Sequence, residues 1–214
     1  PGALALIDRL QMHKIIASGG HSDAFDLETR AGFEYGMGHV THTFNAMSSA
    51  RRRGIYREAG LLEFALSQPE IVCELIADGH HVSPTLMKML YRAKGPHKIC
   101  LVTDATAGAG LPVGQEFSLG GRSCVVDDGV CLLADRSALA GSASRMIDLV
   151  RVVVNQVGVP LHEAVAMAST NPAREIGLTS KGKLERSSDA DLVVLSPELE
   201  VRQTYVGGER VFPA

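Results

Sequence analysis

Four times in the first half of this chain a short apolar run leads into a histidine or an aspartate, and helical periodicity fills the gaps between runs. The runs cover residues 14–17, 40–45, 71–76 and 98–102. The first leads to Ser18-Gly19-Gly20-His21, and the second contains His42. The third leads to Asp78-Gly79-His80-His81, and the fourth to Thr103-Asp104-Ala105. Amphipathic segments over 4–12, 26–35 and 60–67, with another opened by Ser83-Pro84, predict helices, the last with Ser at its N-cap and Pro in its first turn. Strand–helix alternation at this spacing predicts an α/β fold, a parallel sheet with crossover helices. Both a (β/α)8 barrel and a doubly wound sheet place ligands at the carboxyl ends of their strands. A doubly wound sheet usually carries a Gly-rich phosphate turn after its first strand, and none stands here. A barrel is therefore favoured, with about half of one present.

Beyond residue 116 the period shortens. Gly120-Gly121 and Asp127-Asp128-Gly129 break alternating residues over 117–133 into a hairpin. Helices are expected over 142–156 and 161–169, with a third short one from Thr170-Asn171-Pro172 that Gly177 stops. Residues 182–211 read as strands and turns.

Composition narrows the function. Hydrophobic residues make up 45% and charged residues 21%, an ordinary globular balance. A net charge of -3 with no basic stripe argues against nucleic acid. Aromatics are 5% and Trp is absent, so stacking platforms are scarce. No run reaches the ~18 apolar residues of a membrane span. The start at Pro1-Gly2 shows no signal peptide and suggests an artificial or truncated beginning. Cys73, Cys100, Cys124 and Cys131 form no CxxC pair and sit among apolar residues, as reduced thiols of a cytoplasmic protein do.

His21, His42, His81 and Asp104 are the chemistry-bearing residues of the strand ends. Imidazole nitrogens suit Zn²⁺ or Fe²⁺, and a neighbouring carboxylate can accept a proton from water activated at the metal. One histidine in such a place is more often a hydrogen-bonded loop residue. Three with an aspartate make a metal site an equal contender.

Several strings carry a resemblance. Gly20-His21-Ser22, Thr41-His42-Thr43-Phe44-Asn45-Ala46-Met47-Ser48, Ile76-Ala77-Asp78-Gly79-His80-His81-Val82, Leu101-Val102-Thr103-Asp104-Ala105 and Leu139-Ala140-Gly141-Ser142 resemble successive motifs of the N-acetylglucosamine-6-phosphate deacetylases. Gly182-Lys183-Leu184, Ala190-Asp191-Leu192-Val193 and Val206-Gly207-Gly208 are similar to the closing β-sandwich segment of the amidohydrolase superfamily. The resemblance implies a partial (β/α)8 barrel domain over 1–178, with a hairpin insertion at about 117–133, and a β-sandwich segment over 179–214.

It also implies roles. His21 and His42 would be metal ligands, and Asp104 the catalytic acid/base. Asn45 and Ala46 would hold the sugar, Arg57 and His81 the phosphate, and Leu139, Ala140 and Gly141 the pocket wall. The implied reaction is hydrolysis of N-acetyl-D-glucosamine 6-phosphate to D-glucosamine 6-phosphate and acetate, by hydroxide on one or two Zn or Fe ions. A cytoplasmic homodimer, with a small amino-sugar phosphate as partner, completes the expectation. The family's glutamate ligand, its early strands and a carbonyl-polarising histidine would precede residue 1, leaving this segment inactive alone.

Blander readings stand beside these. Arg57 could be a solvated helix-start residue beside Glu58, Asn45 an Asx-turn, residues 139–141 a loop before a helix, and His80 mere pocket wall. Arg57-Glu58-Ala59-Gly60 departs from the family's Arg-Glu-Pro-Gly. The rival functions are a dihydroorotase-like or dipeptidase-like amidohydrolase, or a non-catalytic scaffold chain. A serine hydrolase is disfavoured, because the residues around Ser142 lack the GxSxG elbow.

Overall fold

Strands β1 (Ala17–Gly19), β2 (Met37–Val40), β5 (Val72–Leu75) and β6 (Ile99–Leu101) form one parallel sheet in the order β1-β2-β5-β6. This computed structural model describes residues 2–213, so the outer limits of the expected domains, Pro1 and Ala214, lie outside the described residues. The strands follow chain order with no reversal, unlike a doubly wound sheet.

Helix α1 (Ala3–Met12) precedes β1, and helices α2 (Asp26–Glu34), α3 (Leu61–Ser67) and α4 (Pro84–Lys94) make the three crossovers. One face of the sheet meets them. Val40, Cys73, Leu75, Ile99 and Leu101 point to that face and share a core with Phe64, Met87 and Leu90. Helices α5 (Met146–Val152), running on as a π-turn over Val153–Val157, and α6 (Leu161–Ala168) add Leu149, Val153 and Met167. Successive side chains of a strand alternate between faces. His39, Val72, Glu74 and Cys100, paired across the strands with one another or with Ser18, therefore take the opposite face.

Three helices begin with one device. The N-cap N–H groups of Phe25, Gly60 and Arg145 donate to Glu28, Glu63 and Asp148, three residues on, at 3.0, 2.9 and 3.0 Å. Ser83 holds the N-cap of α4 as expected, but its hydroxyl makes no capping bond. The buried Lys94 ammonium donates to the carbonyls of Ala65 and Gln68 at the end of α3. Burial pulls its pKa below the usual lysine value. Helix α7 (Thr170–Glu175) is pinned to β6 by Asn171 Nδ2, which donates to Pro96 O and Ile99 O, both at 2.7 Å.

Some expected elements shift. The strand expected over 14–17 begins only at Ala17, because Lys14 takes a left-handed backbone (φ 56°) after α1. The strand expected over 40–45 covers Met37–Val40 instead. His42, Phe44 and Ala46 have φ of 33°, 80° and 46°, which an extended strand cannot contain. Arg57 opens no helix. It lies in β4 (Tyr56–Glu58), which pairs antiparallel with β3 (Arg51–Arg53).

The hairpin expected at about 117–133 is a larger four-stranded antiparallel meander. Its strands are β7 (Glu116–Leu119), β8 (Arg122–Val126), β9 (Val130–Leu133) and β10 (Leu139–Ser142), with a small core of Cys124, Val126, Cys131 and Ala140. Residues 139–141 are thus strand rather than loop. The helix expected from 142 starts at Met146 because Ser142 is still paired, its N–H donating to Asp104 O at 3.0 Å. Strands β11 (Leu192–Leu195), β12 (Val201–Val206) and β13 (Glu209–Phe212) form a separate antiparallel sheet. Arg151 of α5 reaches toward it, donating to Leu199 O at 3.1 and 2.7 Å. All four cysteines are free and buried.

Candidate active site at the strand ends

The parallel strands all release their chains at the same edge. His21 follows β1 by two residues and His42 follows β2 by two; Asp78 and His81 follow β5, and Asp104 follows β6. Strand order therefore sets His21, His42, His81 and Asp104 in a row along that edge. β10 adds Leu139, Ala140 and Gly141 beside Asp104, since Ala105 bridges Ser142 in parallel and Ser142 N–H bonds Asp104 O.

Three of these residues share a strained backbone. His21, His42 and Asp104 have φ of 46°, 33° and 50°. A side-chain-bearing residue in the left-handed region costs of order 1 kcal/mol, which surrounding structure must hold in place. For His42 the holder is β5. Glu74 Oε2 accepts His42 N–H at 3.4 Å, and Glu74 O accepts Thr43 N–H at 2.8 Å.

The two imidazoles converge. His21 Nε2 and His42 Nε2 lie 2.9 Å apart, with ring planes at 65°. Two ligand bonds of about 2.0–2.1 Å meeting near a right angle would span about 2.9 Å, so the pair fits a shared cation as well as an N–H···N bond. His42 Nδ1 is buried without a partner, where a ligand histidine usually donates to a supporting acceptor. Among the described residues no group of three or more His, Cys, Asp or Glu side chains could hold a metal ion. By donor chemistry the pair suits a divalent metal, to which it can supply two imidazole nitrogens.

His81 is held by a carboxylate. Its Nδ1 is 2.6 Å from Asp78 Oδ2, and Asp78 Oδ1 accepts the N–H groups of His80 and His81, each at 2.9 Å. Burial acts to raise the Asp78 carboxyl, but the bonds from the His81 ring and the two backbone groups outweigh it and hold it below its ordinary value. His80 points elsewhere, near Gly129 of the β8–β9 turn.

Asn45 and Ala46 follow His42 by three and four residues. Asn45 Nδ2 donates to His42 O at 3.3 Å and Thr43 O at 3.4 Å, so its amide N–H serves its own turn while Oδ1 is uncommitted. Arg57 stands apart. It lines a surface cleft of about 490 Å³ with Asp26, Leu27, Arg53, Tyr56, Glu58 and Ala59, without either histidine. Arg51 and Arg53 pair with Glu58 at 3.4 and 3.1 Å, whereas Arg57 forms no ion pair among the described residues.

Three further residues build this edge. Glu74 supports His42, and Asp78 orients His81. Ser48 Oγ accepts Leu61 N–H at 2.8 Å, tying the His42 loop to α3. Each acts across a gap in sequence that no local period reveals, except Asp78, whose i,i+3 spacing to His81 was visible.

Residues 3–211 match the amidohydrolase family. The chain belongs to the amidohydrolase family. Among its relatives, the N-acetylglucosamine-6-phosphate deacetylase of Vibrio furnissii is 34% identical over 100% of this chain and 52% of its own length. The N-acetylgalactosamine-6-phosphate deacetylase of Escherichia coli O157:H7 is 35% identical over 97% of this chain and 54% of its own. A point mutant of the Mycobacterium smegmatis N-acetyl-D-glucosamine-6-phosphate deacetylase, solved with N-acetyl-D-glucosamine-6-phosphate, superposes with a TM-score of 0.90. It is 36% identical over 98% of this chain and 55% of that one. The chain spans about half the length of the curated relatives it matches. Its fold is the α/β fold of the metal-dependent hydrolases in this family.

Proposed function

We propose that the protein carrying this amidohydrolase chain hydrolyses N-acetyl-D-glucosamine 6-phosphate to D-glucosamine 6-phosphate and acetate. The observation that carries the reading is the convergence of His21 Nε2 and His42 Nε2 at 2.9 Å, on the sheet edge that also bears Asp104. A parallel sheet in chain order is what a run of strands from a (β/α)8 barrel looks like, and the β11–β13 sheet suits one part of a small β-sandwich. The corresponding domains are residues 1–178 and 179–214.

His21 and His42 would hold Zn or Fe, one or two ions per subunit with further ligands. A divalent cation there would make water acidic enough to react near neutral pH and would polarise the amide carbonyl. Asp104 takes the proton from the attacking water and returns it to the nitrogen as the C–N bond breaks, so acetate and the free amine leave. Asn45 Oδ1 and the Ala46 backbone meet the sugar, His81 and Arg57 its phosphate, and Leu139, Ala140 and Gly141 wall the pocket. Arg57 lines a cleft that neither histidine lines, and its phosphate contact goes with the homodimer, in which it reaches a neighbouring site. Four free thiols suit the reducing cytoplasm.

Acetate release by the whole protein that carries this chain tests the reading, with both the gluco and galacto 6-phosphates as substrates. Turnover should fall by at least about 100-fold in Asp104→Asn, in line with loss of general acid–base help. Undiminished turnover in that variant would refute the assignment, and preference for an unphosphorylated amide would favour a dipeptidase-like relative instead.

A further inference from the structure

We infer that Asp78 is a positioning residue that fixes the orientation of the His81 ring so that Nε2 is turned to the anionic group of the substrate. The inference rests on the reading above, in which His81 meets the phosphate.

Three features single out the pair. The Asp78 side chain is 0% exposed and that of His81 5%, so water does not compete for their contact. At 2.6 Å the Nδ1···Oδ2 distance is that of a short charge-assisted bond. Oδ1 is fully used by the N–H groups of His80 and His81, so the carboxylate cannot swing away from the ring.

A carboxylate only accepts, so Nδ1 must carry hydrogen. That leaves Nε2 as the one ring position available to a ligand, and it has no hydrogen-bond partner among the described residues. A ring protonated at both nitrogens would donate Nε2–H to a phosphate oxygen, with the Asp78 charge balancing its own behind it. Charges facing the pair from neighbouring elements are few. His80 turns toward Gly129, with Asp127 nearby, and Glu74 bonds the His42 backbone.

Asp78→Asn separates this role from a purely structural one. The amide oxygen can still accept both backbone N–H groups, but its NH2 opposes Nδ1–H and drives the hydrogen to Nε2 of a neutral ring. In the whole protein that carries this chain, kinetics with N-acetylglucosamine 6-phosphate should show KM raised about tenfold, as loss of a charge-assisted bond implies, with kcat within about threefold. Adding Asp78→Asn to His81→Gln should cost nothing further, because Asp78 acts only through the ring.

Equal loss in kcat and KM, or additive effects of the two substitutions, would overturn the inference. Should Asp78→Asn fail to fold, nitrogen NMR of histidine-labelled wild type decides. The His81 Nε2 signal must move when inorganic phosphate is added, and a static signal overturns the inference. A wild type that deacetylates no sugar phosphate, yet shows that shift, would discard the deacetylase reading and leave the dyad standing.

Discussion

At His21, His42 and Asp104 the backbone itself carries a cost, and the site exists because neighbouring strands meet it. Gly141 shows how little room is left. It has φ 80°, and a Cβ there would lie 2.4 Å from Thr106 Cγ2 and 2.8 Å from Asp104 O. Gly141→Ala should therefore destabilise the protein by about 1–3 kcal/mol and displace Asp104, with urea unfolding and acetate release as the readouts. On the proposed metal role, His21→Ala removes a donor outright. Zinc affinity, measured by competition with a chelating dye, should drop by more than the roughly 10–100-fold that follows loss of a supporting bond. Asp78 adds a pH dependence whose sign follows from its lowered pKa. Its contribution is present in full above the unfolded value of about 3.9 and is lost as pH falls through the lower folded value. Wild type should thus be more stable than Asp78→Asn at neutral pH, and acid titration of unfolding should show that gap closing below about pH 4.

Elements are joined mainly by side chains that reach backbone. Ser48 and Glu63 start α3, and Lys94 finishes it from α4. Lys94→Met fits the apolar surroundings but takes the ammonium donor from Ala65 O and leaves Gln68 O only the Ile71 N–H. About 1–3 kcal/mol should be lost in urea, despite removal of a buried charge. Gly60 belongs to the same joint. A Cβ there would lie 2.5 Å from the Ser48 carbonyl carbon, so the Arg57-Glu58-Ala59-Gly60 string owes its glycine to packing against the His42 loop.

Across the whole molecule, one sheet face is sealed by helices and the other is lined by Ser18, His39, Glu74 and Cys100, with a cleft of about 420 Å³ at its amino edge holding His39 and Glu175. Burial, with Glu175 and Glu74 nearby, pushes the Cys100 thiol up to about 12. The thiolate is the reactive form. At pH 8 all four thiols should stay unlabelled by a thiol reagent until urea unfolds the chain, and early labelling of Cys100 would show that its face opens locally. Among the described residues no helix is long and apolar enough to cross a membrane.

Short-range order was legible in the letters. Apolar runs and helical periods located β5, β6 and most helices, because each period reports a face that must be buried. Residue chemistry after each run marked His21, His42, His81 and Asp104 for the same reason: polar groups collect where a buried strand meets solvent. What the letters could not carry was every contact made between strands. β2 ends at Val40 because Glu74 bonds the backbone of His42 and Thr43. Leu139 to Gly141 is strand because β10 pairs antiparallel with β9, Leu139 opposite Leu132 and Ser142 opposite Val130. Arg57 sits in a hairpin of its own and lines a cleft that neither histidine lines. The 2.9 Å approach of two imidazoles 21 residues apart is likewise a product of sheet register. Local propensity acts over a few residues, whereas left-handed histidines and convergent rings persist only where distant chain supplies the bonds that hold them.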